Sequence, residues 1–522
     1  LVSRPVLSRP AHAAGVRRAA LALETTPAPV AGAEASARSL AAPDEHDLVS
    51  RTVDGTARAY KRATAAFDTT EPLRPWRAVV ATSVEDVQAA VLEARSAGVG
   101  VRMHSTGHAA GSSSDMTGEI LVRTALGGAV TVDAERRLVR IPAGTPWGVV
   151  VAAAAKHGLA VPHGSSGHVG AIGYLSRGGL SAYARTVGVA ANSVESVELV
   201  TADGRLVVAS RDCEPDLFWA VRGGGGGFGV ITAMTVRAFG PGTVVTGTAL
   251  WEIEDARGVA DAWAAWTASA PNAITTALRV MGLPPLPGMP LRLGRRPLLV
   301  IDGTAVDHGG IRAEDAAGDL LHVLRRAARP VFDSWRRTET PEVAETHMDP
   351  PVGAAHRADH MLLGASAPAP AEGATHYAAP LEPADVPGVA RNRAVVETFL
   401  GIAARPDSGL PIAELRQLRG ALAETPEDAG AVGRFDADFA WFTGAMVSKK
   451  HTPEEAADKF AAAREAFGRW DTGFTAPTFA ADRDRPQRNY DEAARVRVEA
   501  VREAVDPTGV FRGDVAVGAL AH

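Results

Sequence analysis

The sequence predicts an α+β protein in two parts, the second a sheet covered by helices on one face. Three observations carry this. Between Ala78 and Arg102 a short apolar strand, a capped helix and a second strand follow one another, the start of a βαβ unit. Three glycine-rich clusters, all between residues 102 and 230, then interrupt a series of short strands. From Val244 to about Thr475 the clusters stop and longer strands alternate with helices, a spacing that suits one sheet with helices on one side.

In chain order, residues 1–43 are rich in Ala, Arg, Pro and Ser and read as a disordered or processed tail. Arg17-Arg18 before the apolar Ala19–Leu23 resembles a degraded twin-arginine signal. The stretch is shorter than the roughly 7–15 residues of a signal core, and Glu24 ends it, so a cytoplasmic protein is expected. Asp44 to Thr70 reads as a lead-in helix and loop. Ala78–Val80 is a strand. Ser83 caps a helix through Ala97, Glu85 and Asp86 favour its first-turn dipole, and Gly98 stands where a C-cap glycine belongs. Strands follow at Val99–Arg102, Glu119–Arg123, Ala129–Asp133 and Leu138–Ile141, then a helix at Pro146–His157. Val194–Thr201 and Leu206–Ser210 form a hairpin around Asp203-Gly204, and Val230–Ala238 is a further strand. Beyond Thr243, strands are expected at Val245–Glu254, Ile274–Met281, Leu298–Ala305 and Phe439–Met446, and helices at Ala256–Ala268 and Ile311–Ala327. Ala365–Ala371 reads as a Pro/Ala-rich loop. A last helix runs from about Asn489 to Val505.

Composition excludes several classes. Of 522 residues 46% are hydrophobic, which is globular composition. The net charge of −6 leaves no basic excess for a nucleic-acid partner. No apolar run reaches the ~20 residues that span a bilayer. A single cysteine, Cys213, allows neither an internal disulfide nor a Cys-based metal site, and it reads as a partly buried structural thiol. His347, His356 and His360, with Asp349 and Asp359, invite a metal reading. Only His356 and His360 stand at i, i+4, and prolines precede them, so loop histidines and no metal are expected. Trp251, Trp263, Trp266 and Trp441 are expected in the core.

The chemistry gathers in the glycine clusters. They are Arg102-Met-His-Ser-Thr-Gly-His108-Ala-Ala-Gly111, His163 to Gly179, and Arg222-Gly223 to Gly229-Val230. Glycine allows positive φ and close approach of backbone to a ligand. Successive N–H groups around such turns make nests for phosphate oxygens. Three clusters in one part suggest a large, phosphate-bearing cofactor. The Gly223 run leads into a strand, not a helix, so it is no dinucleotide fingerprint, and no Gly-Lys-Ser/Thr occurs for a Walker A loop.

With their flanks, these stretches resemble the FAD-linked oxidases, and more narrowly the bacterial berberine-bridge-enzyme-like oxidoreductases. The residues that carry the resemblance are Arg102–Gly111, Gly164–Leu180, Ala202–Leu206 and Asp216-Leu-Phe-Trp-Ala-Val-Arg to Gly229. It continues through Thr346-His-Met-Asp-Pro350, Glu414–Ala421 and Asp506–Arg512, and so covers about Pro72 to Val517. The resemblance implies the PCMH-type FAD-binding fold. It would comprise an FAD-binding domain at 44–242, a substrate domain at 243–480 made of an antiparallel sheet covered by helices on one face, and a C-terminal helix and tail at 481–522 returning to the first. His108 would bond covalently to the flavin 8α-methyl. Ser166 stands where many relatives place a second, cysteinyl tether, which implies one flavin bond only. The FAD contacts would come from Arg102, Ser105, Thr106, Gly107, Ala109, Gly164, Ser165, Ser166, His168, Val169, Gly170, Gly173, Tyr174, Gly178, Gly229, Val230 and Asp514.

Three departures stand against the family pattern. Arg177 replaces the first of three glycines, Asp514 stands where relatives have asparagine, and the Tyr-x-Asn motif is missing near Ala476–Phe479. The implied reaction takes hydride from a small-molecule alcohol, sugar-like or secondary-metabolite substrate to flavin N5, with dioxygen as electron acceptor and peroxide as product. Tyr174, Arg416 and Gln417 are the catalytic candidates, Arg416 and Gln417 facing the ring from the substrate sheet. A dehydrogenase of the same fold and a decayed flavin-binding protein remain as alternatives.

Overall fold

The structure of the chain is a computed structural model. It describes residues 58–70, 72–112, 116–282, 296–349, 356–364, 388–405, 408–448, 451–480, 485 and 487–513. The N-terminal tail, the Ala365–Ala371 loop and Asp514 lie outside the described residues.

After helix α1 (Arg58–Ala63), the first sheet holds β1 (Arg77–Ala81), β2 (Gly100–His104) and β3 (Glu119–Thr124), all parallel, in the order β1-β3-β2. Helix α2 (Val84–Ala97) is the crossover between β1 and β2. Its start is a capping box, with Asp86 N–H donating to Ser83 Oγ (3.2 Å) and Ser83 N–H to the Asp86 carboxylate (3.0 Å). Its end is Gly98 at φ 67°. Val87, Ala90, Val91 and Ala94, at helical spacing, bury one face against β1 and β3.

The second sheet is antiparallel, in the order β4-β5-β8-β6-β7. It holds β4 (Thr131–Asp133), β5 (Leu138–Pro142), β6 (Val194–Val200), β7 (Leu206–Ser210) and β8 (Val230–Arg237). Helices α3 (Trp147–Ala155), α4 (Ala171–Ser176) and α5 (Pro215–Val221) share its core, in which Trp147, Ile172 and Leu217 are buried. Cys213 is exposed, not half-buried as expected: it lies in the turn between β7 and α5, where its backbone and not its thiol is used.

The third sheet has eight strands. They are β9 (Val244–Glu252), β10 (Ile274–Met281), β11 (Leu298–Val306), β12 (Phe332–Asp333), β13 (Arg336–Thr338), β14 (His356–Leu363), β15 (Ile412–Gln417) and β16 (Phe439–Met446). They pair antiparallel in the order β12-β9-β11-β10-β15-β16-β14, with β13 also on β9. Four helices cover one face: α6 (Ala256–Thr267), α7 (Ala313–Ala327), α8 (Gly388–Ala403) and α9 (Pro453–Phe467). Trp251, Trp263 and Trp441 are fully buried, as expected of core residues, and Trp266 is half-buried against them.

Helix α10 (Glu492–Val505) then returns to the region of the second sheet. Arg502 donates to the carbonyls of Gly224 (2.9 Å) and Gly226 (2.9 Å), and Tyr490 Oη to that of Gly223 (2.6 Å). Beyond it, Val101 N–H donates to Val510 and Arg512 N–H to Val101, which lays the terminal segment beside β2.

Candidate active site

The first two glycine clusters are stitched together. Gly170 N–H donates to Thr106 Oγ1 (3.2 Å), and a Cβ at Gly170 would collide with Ser105 Oγ. Gly107, at φ 72°, admits no side chain, because its Cβ would lie 2.6 Å from Ala66 Cα. That contact draws residues 66–68 over the cluster. Phe67 and Asp68 N–H donate to the carbonyls of Thr106 (3.1 Å) and Gly107 (3.2 Å). The Phe67 ring stacks on His108, centroids 3.7 Å apart.

His108 Nε2 is buried with no hydrogen-bond partner among the described residues. Burial pushes the imidazole down to about 4, outweighing the upward pull of Asp349, so the ring is neutral near pH 7 and a nitrogen lone pair is available. Half-exposed Ser105, Thr106, Ala109, Ser165, His168 and Val169 surround this position along the two loops, and Gly173 is exposed with open space where a Cβ would stand. An orphaned nitrogen, small side chains and open backbone fit a large ligand lying on these loops. Ser166 is buried and accepts the His168 N–H (3.3 Å).

Other expected contacts are committed elsewhere. Arg102 is buried in a bidentate pair with Glu119 (2.8 and 3.0 Å) and reaches the Gly513 carbonyl (3.2 Å). Val230 begins β8 and Gly229 leads into it, where a Cβ at Gly229 would lie 2.7 Å from the Val200 carbonyl oxygen. The third glycine run thus serves as the docking surface for α10. Gly164 and Gly179 flank the Tyr174 ring, and Gly178 adopts φ 88°. Arg177 is buried and donates to Ser112 Oγ (3.2 Å) at the end of the first cluster. Tyr174 Oη is buried without a described partner, and burial raises its phenol against the influence of Arg416.

The helix-free face of the third sheet is the other half of the site. Strand alternation divides the residues. Val245, Ile274, Leu278, Leu299, Ile301, Ala413 and Leu415 pack under the helices. Thr246, Thr248, Arg279, Asp302, Thr304, Glu414 and Arg416 occupy the alternate positions, with Arg279 directly across from Glu414. Residues 346–349 form a strap over this polar face. Thr248 Oγ1 donates to the Thr346 carbonyl (2.9 Å), and Arg279 Nη1 to that of His347 (2.7 Å).

The His347 ring lies between two carboxylates, Nδ1 3.2 Å from Asp302 and Nε2 3.0 Å from Glu414. Burial and Arg279 push its pKa down, but Asp302, Glu414 and Asp349 outweigh them and raise it to about 9. At neutral pH it is therefore an imidazolium donating to both. Arg416 Nη2 stands 3.2 Å from the same Nε2. Glu414 makes that approach of two donors tolerable, since it also accepts from Arg416 Nε (2.7 Å). Burial raises the Asp302 and Glu414 carboxyls. The guanidiniums and His347 reverse this and hold both below the usual carboxylate range. A cavity of about 40 Å³, room for a water molecule, lies among Ser165, Ser181, Asp302, Thr304, His347 and Arg416.

Arg416 and Gln417 cannot both face one ring, because adjacent strand residues point to opposite faces. Gln417 faces the helices, where Oε1 accepts from Thr276 Oγ1 (2.8 Å), itself the acceptor for Trp263 Nε1 (3.0 Å). The expectation of loop histidines also needs correction. His347 does lie outside helix and strand but is buried in the ion network, whereas His356 and His360 lie on β14. His360 is buried, bonded through Nδ1 to Thr475 Oγ1 and stacked on Phe479. Among the described residues no group of His, Cys, Asp or Glu could hold a metal ion, and no helix is long and apolar enough to cross a membrane. Sequence reasoning missed the network, although the lone charges in the otherwise apolar strands β10 and β11, and Glu414 with Arg416 on one face of β15, were a signal for it.

Residues 75–210 match the FAD binding domain family. The FAD-linked oxidoreductase ZEB1 of Gibberella zeae is 39% identical over 181 residues, 33% of this chain and 32% of that protein. The chain thus spans about a third of the length of the curated relatives it matches. Among solved structures, BBE-like 1 of Physcomitrella patens superposes with a TM-score of 0.70 at 17% identity, covering 93% of this chain and 100% of that one. The glucooligosaccharide oxidase of Acremonium strictum, described with a 6-S-cysteinyl, 8α-N1-histidyl FAD, gives 0.68 at 19%, covering 91% and 98%. The chain therefore carries an FAD binding domain, has FAD-linked oxidoreductases as relatives, and has the PCMH-type fold that its motifs implied.

Proposed function

We propose that the chain is an FAD-dependent oxidase that carries its flavin on His108 through a single bond. It would take hydride from an alcohol, sugar-like or secondary-metabolite substrate. Residues 44–242 and 481–522 would hold the FAD and residues 243–480 the substrate. The observation that carries the reading is His108: a neutral imidazole with a buried, unpartnered nitrogen, placed in an FAD binding domain. Ser166 in place of a thiol supports a single tether.

When bound, FAD supplies a two-electron acceptor that dioxygen can reoxidise, giving peroxide. The chain's own residues bind and orient. Ser105, Thr106 and Gly170 form a close-packed floor beside the tether. Phe67 holds the His108 ring from one side. Arg416 stands on the polar face with its charge fixed by Glu414 and favours negative charge developing on a substrate oxygen. Tyr174 Oη offers a hydrogen bond that nothing described in the protein takes up. Gln417 supports the sheet from its helix side and is not proposed to touch substrate.

The test is a flavin spectrum of the purified protein, followed by anaerobic mixing with a panel of alcohols and sugars. Bleaching by a panel member, then peroxide release on admitting oxygen, is expected. Bleaching without peroxide would reassign the chain as a dehydrogenase with another acceptor.

A further inference from the structure

We infer that Asp349 is the proton acceptor of the reaction; the inference rests on the function proposed above. The other titratable groups of the site are unsuited to the task. Glu414 and Asp302 are each bound to a guanidinium and to His347, and carboxylates so stabilised are weak bases. His347 already holds its proton at neutral pH. Tyr174 is a phenol whose burial opposes ionisation. Burial, aided by Arg416, takes His360 down to about 3, and its Nδ1 is engaged by Thr475.

Asp349 differs from all of these. Its Oδ2 accepts a hydrogen bond from a neutral group, Ser165 Oγ, at 2.6 Å, and Oδ1 takes none among the described contacts. The residue is half-exposed, unlike the buried carboxylates of the network. Its charge acts on His108, His347 and Arg416 alike, so it stands between the tether loop and the polar face of the sheet.

The backbone shows how it is held there. Met348 adopts φ 55°, a left-handed conformation that a non-glycine residue seldom takes. On one side of that turn His347 enters the sheet; on the other Asp349 meets the second glycine cluster. Hydrogen bonds from Thr246 and Thr248 to Thr346 and from Arg279 to His347, with one from His347 Nδ1 to Asp302, fix the sheet side of the strap.

In the step, the substrate O–H bond breaks and its proton goes to Asp349, while the electron pair stays on oxygen. That pair would form the C=O π bond as the adjacent C–H bond breaks, the hydrogen leaving with both its electrons to the two-electron acceptor that bound FAD would supply. The alcohol is oxidised to a carbonyl and the flavin is reduced by two electrons.

The test uses the flavin-loaded full chain with Asp349→Asn and Asp349→Ala. Without substrate, sulfite affinity of the oxidised flavin should rise roughly tenfold in Asp349→Asn, because a nearby negative charge that repels the anion is gone. With a panel alcohol or sugar that bleaches the wild type, anaerobic reduction should slow by about 10²–10⁴-fold. Sodium formate should restore part of the rate to Asp349→Ala where sodium chloride does not, a rescue that a merely structural role would not give. Unchanged sulfite affinity, or reduction within a few-fold of wild type, overturns the inference alone. A wild type that binds no flavin overturns it together with the function.

Discussion

His347 is the residue on which the site's charge balance turns. Its folded pKa of about 9 lies above the ordinary 6.5. Its contribution to stability is therefore complete below about pH 6.5 and is lost as pH rises through about 9. Denaturant melts of the wild type should show that loss between those limits, and His347→Gln should not. At pH 7 the variant leaves Asp302 and Glu414 facing each other with one cation fewer. A cost of about 3 kcal/mol is expected, as for a broken buried ion pair. Gly179→Ala should also destabilise, since φ is 71° and the new Cβ would strike the Tyr174 ring; a melt equal to wild type would contradict that packing. At this scale the glycine clusters were legible because positive φ demands glycine. The partner of each charge was not, since Arg279, Asp302, His347 and Glu414 come from four separate segments.

At the scale of elements, what is local was legible. Ser83, Glu85, Asp86 and Gly98 announced α2, and the structure caps it with those residues. Ser83→Ala should cost about 1 kcal/mol, measured by equilibrium unfolding; no loss would mean that the cap is redundant. Strands β9, β10, β11 and β16 lie within two residues of their expected bounds. Short strands β12 and β13 and helices α8 and α9 were not anticipated, although Thr452, Pro453 and Glu455 mark the start of α9 with a capping box like that of α2. Sheet order was beyond local reading as well: β3 inserts between β1 and β2, although those two follow each other in the chain. Strand alternation alone would have separated Arg416 from Gln417, and the resemblance to a family obscured it.

For the whole molecule, the return of the C-terminal helix joins the last segment to the third glycine run. Arg502→Ala would leave the Gly224 and Gly226 carbonyls without that donor. Flavin retention through gel filtration should fall along with thermal stability; full retention would show that the run holds its shape unaided. The proposed function orders the chain as flavin part, substrate part and return. In the proposed function, a flavin on His108 would lie between the polar sheet face and the two glycine loops. The most direct measurement is therefore acid precipitation combined with intact mass on wild type and His108→Ala. A flavin tethered to His108 would give a yellow wild-type pellet whose mass exceeds the polypeptide by one FAD, and His108→Ala would release its flavin to the supernatant. A colourless wild-type pellet, or a His108→Ala pellet that keeps its flavin, would contradict that tether.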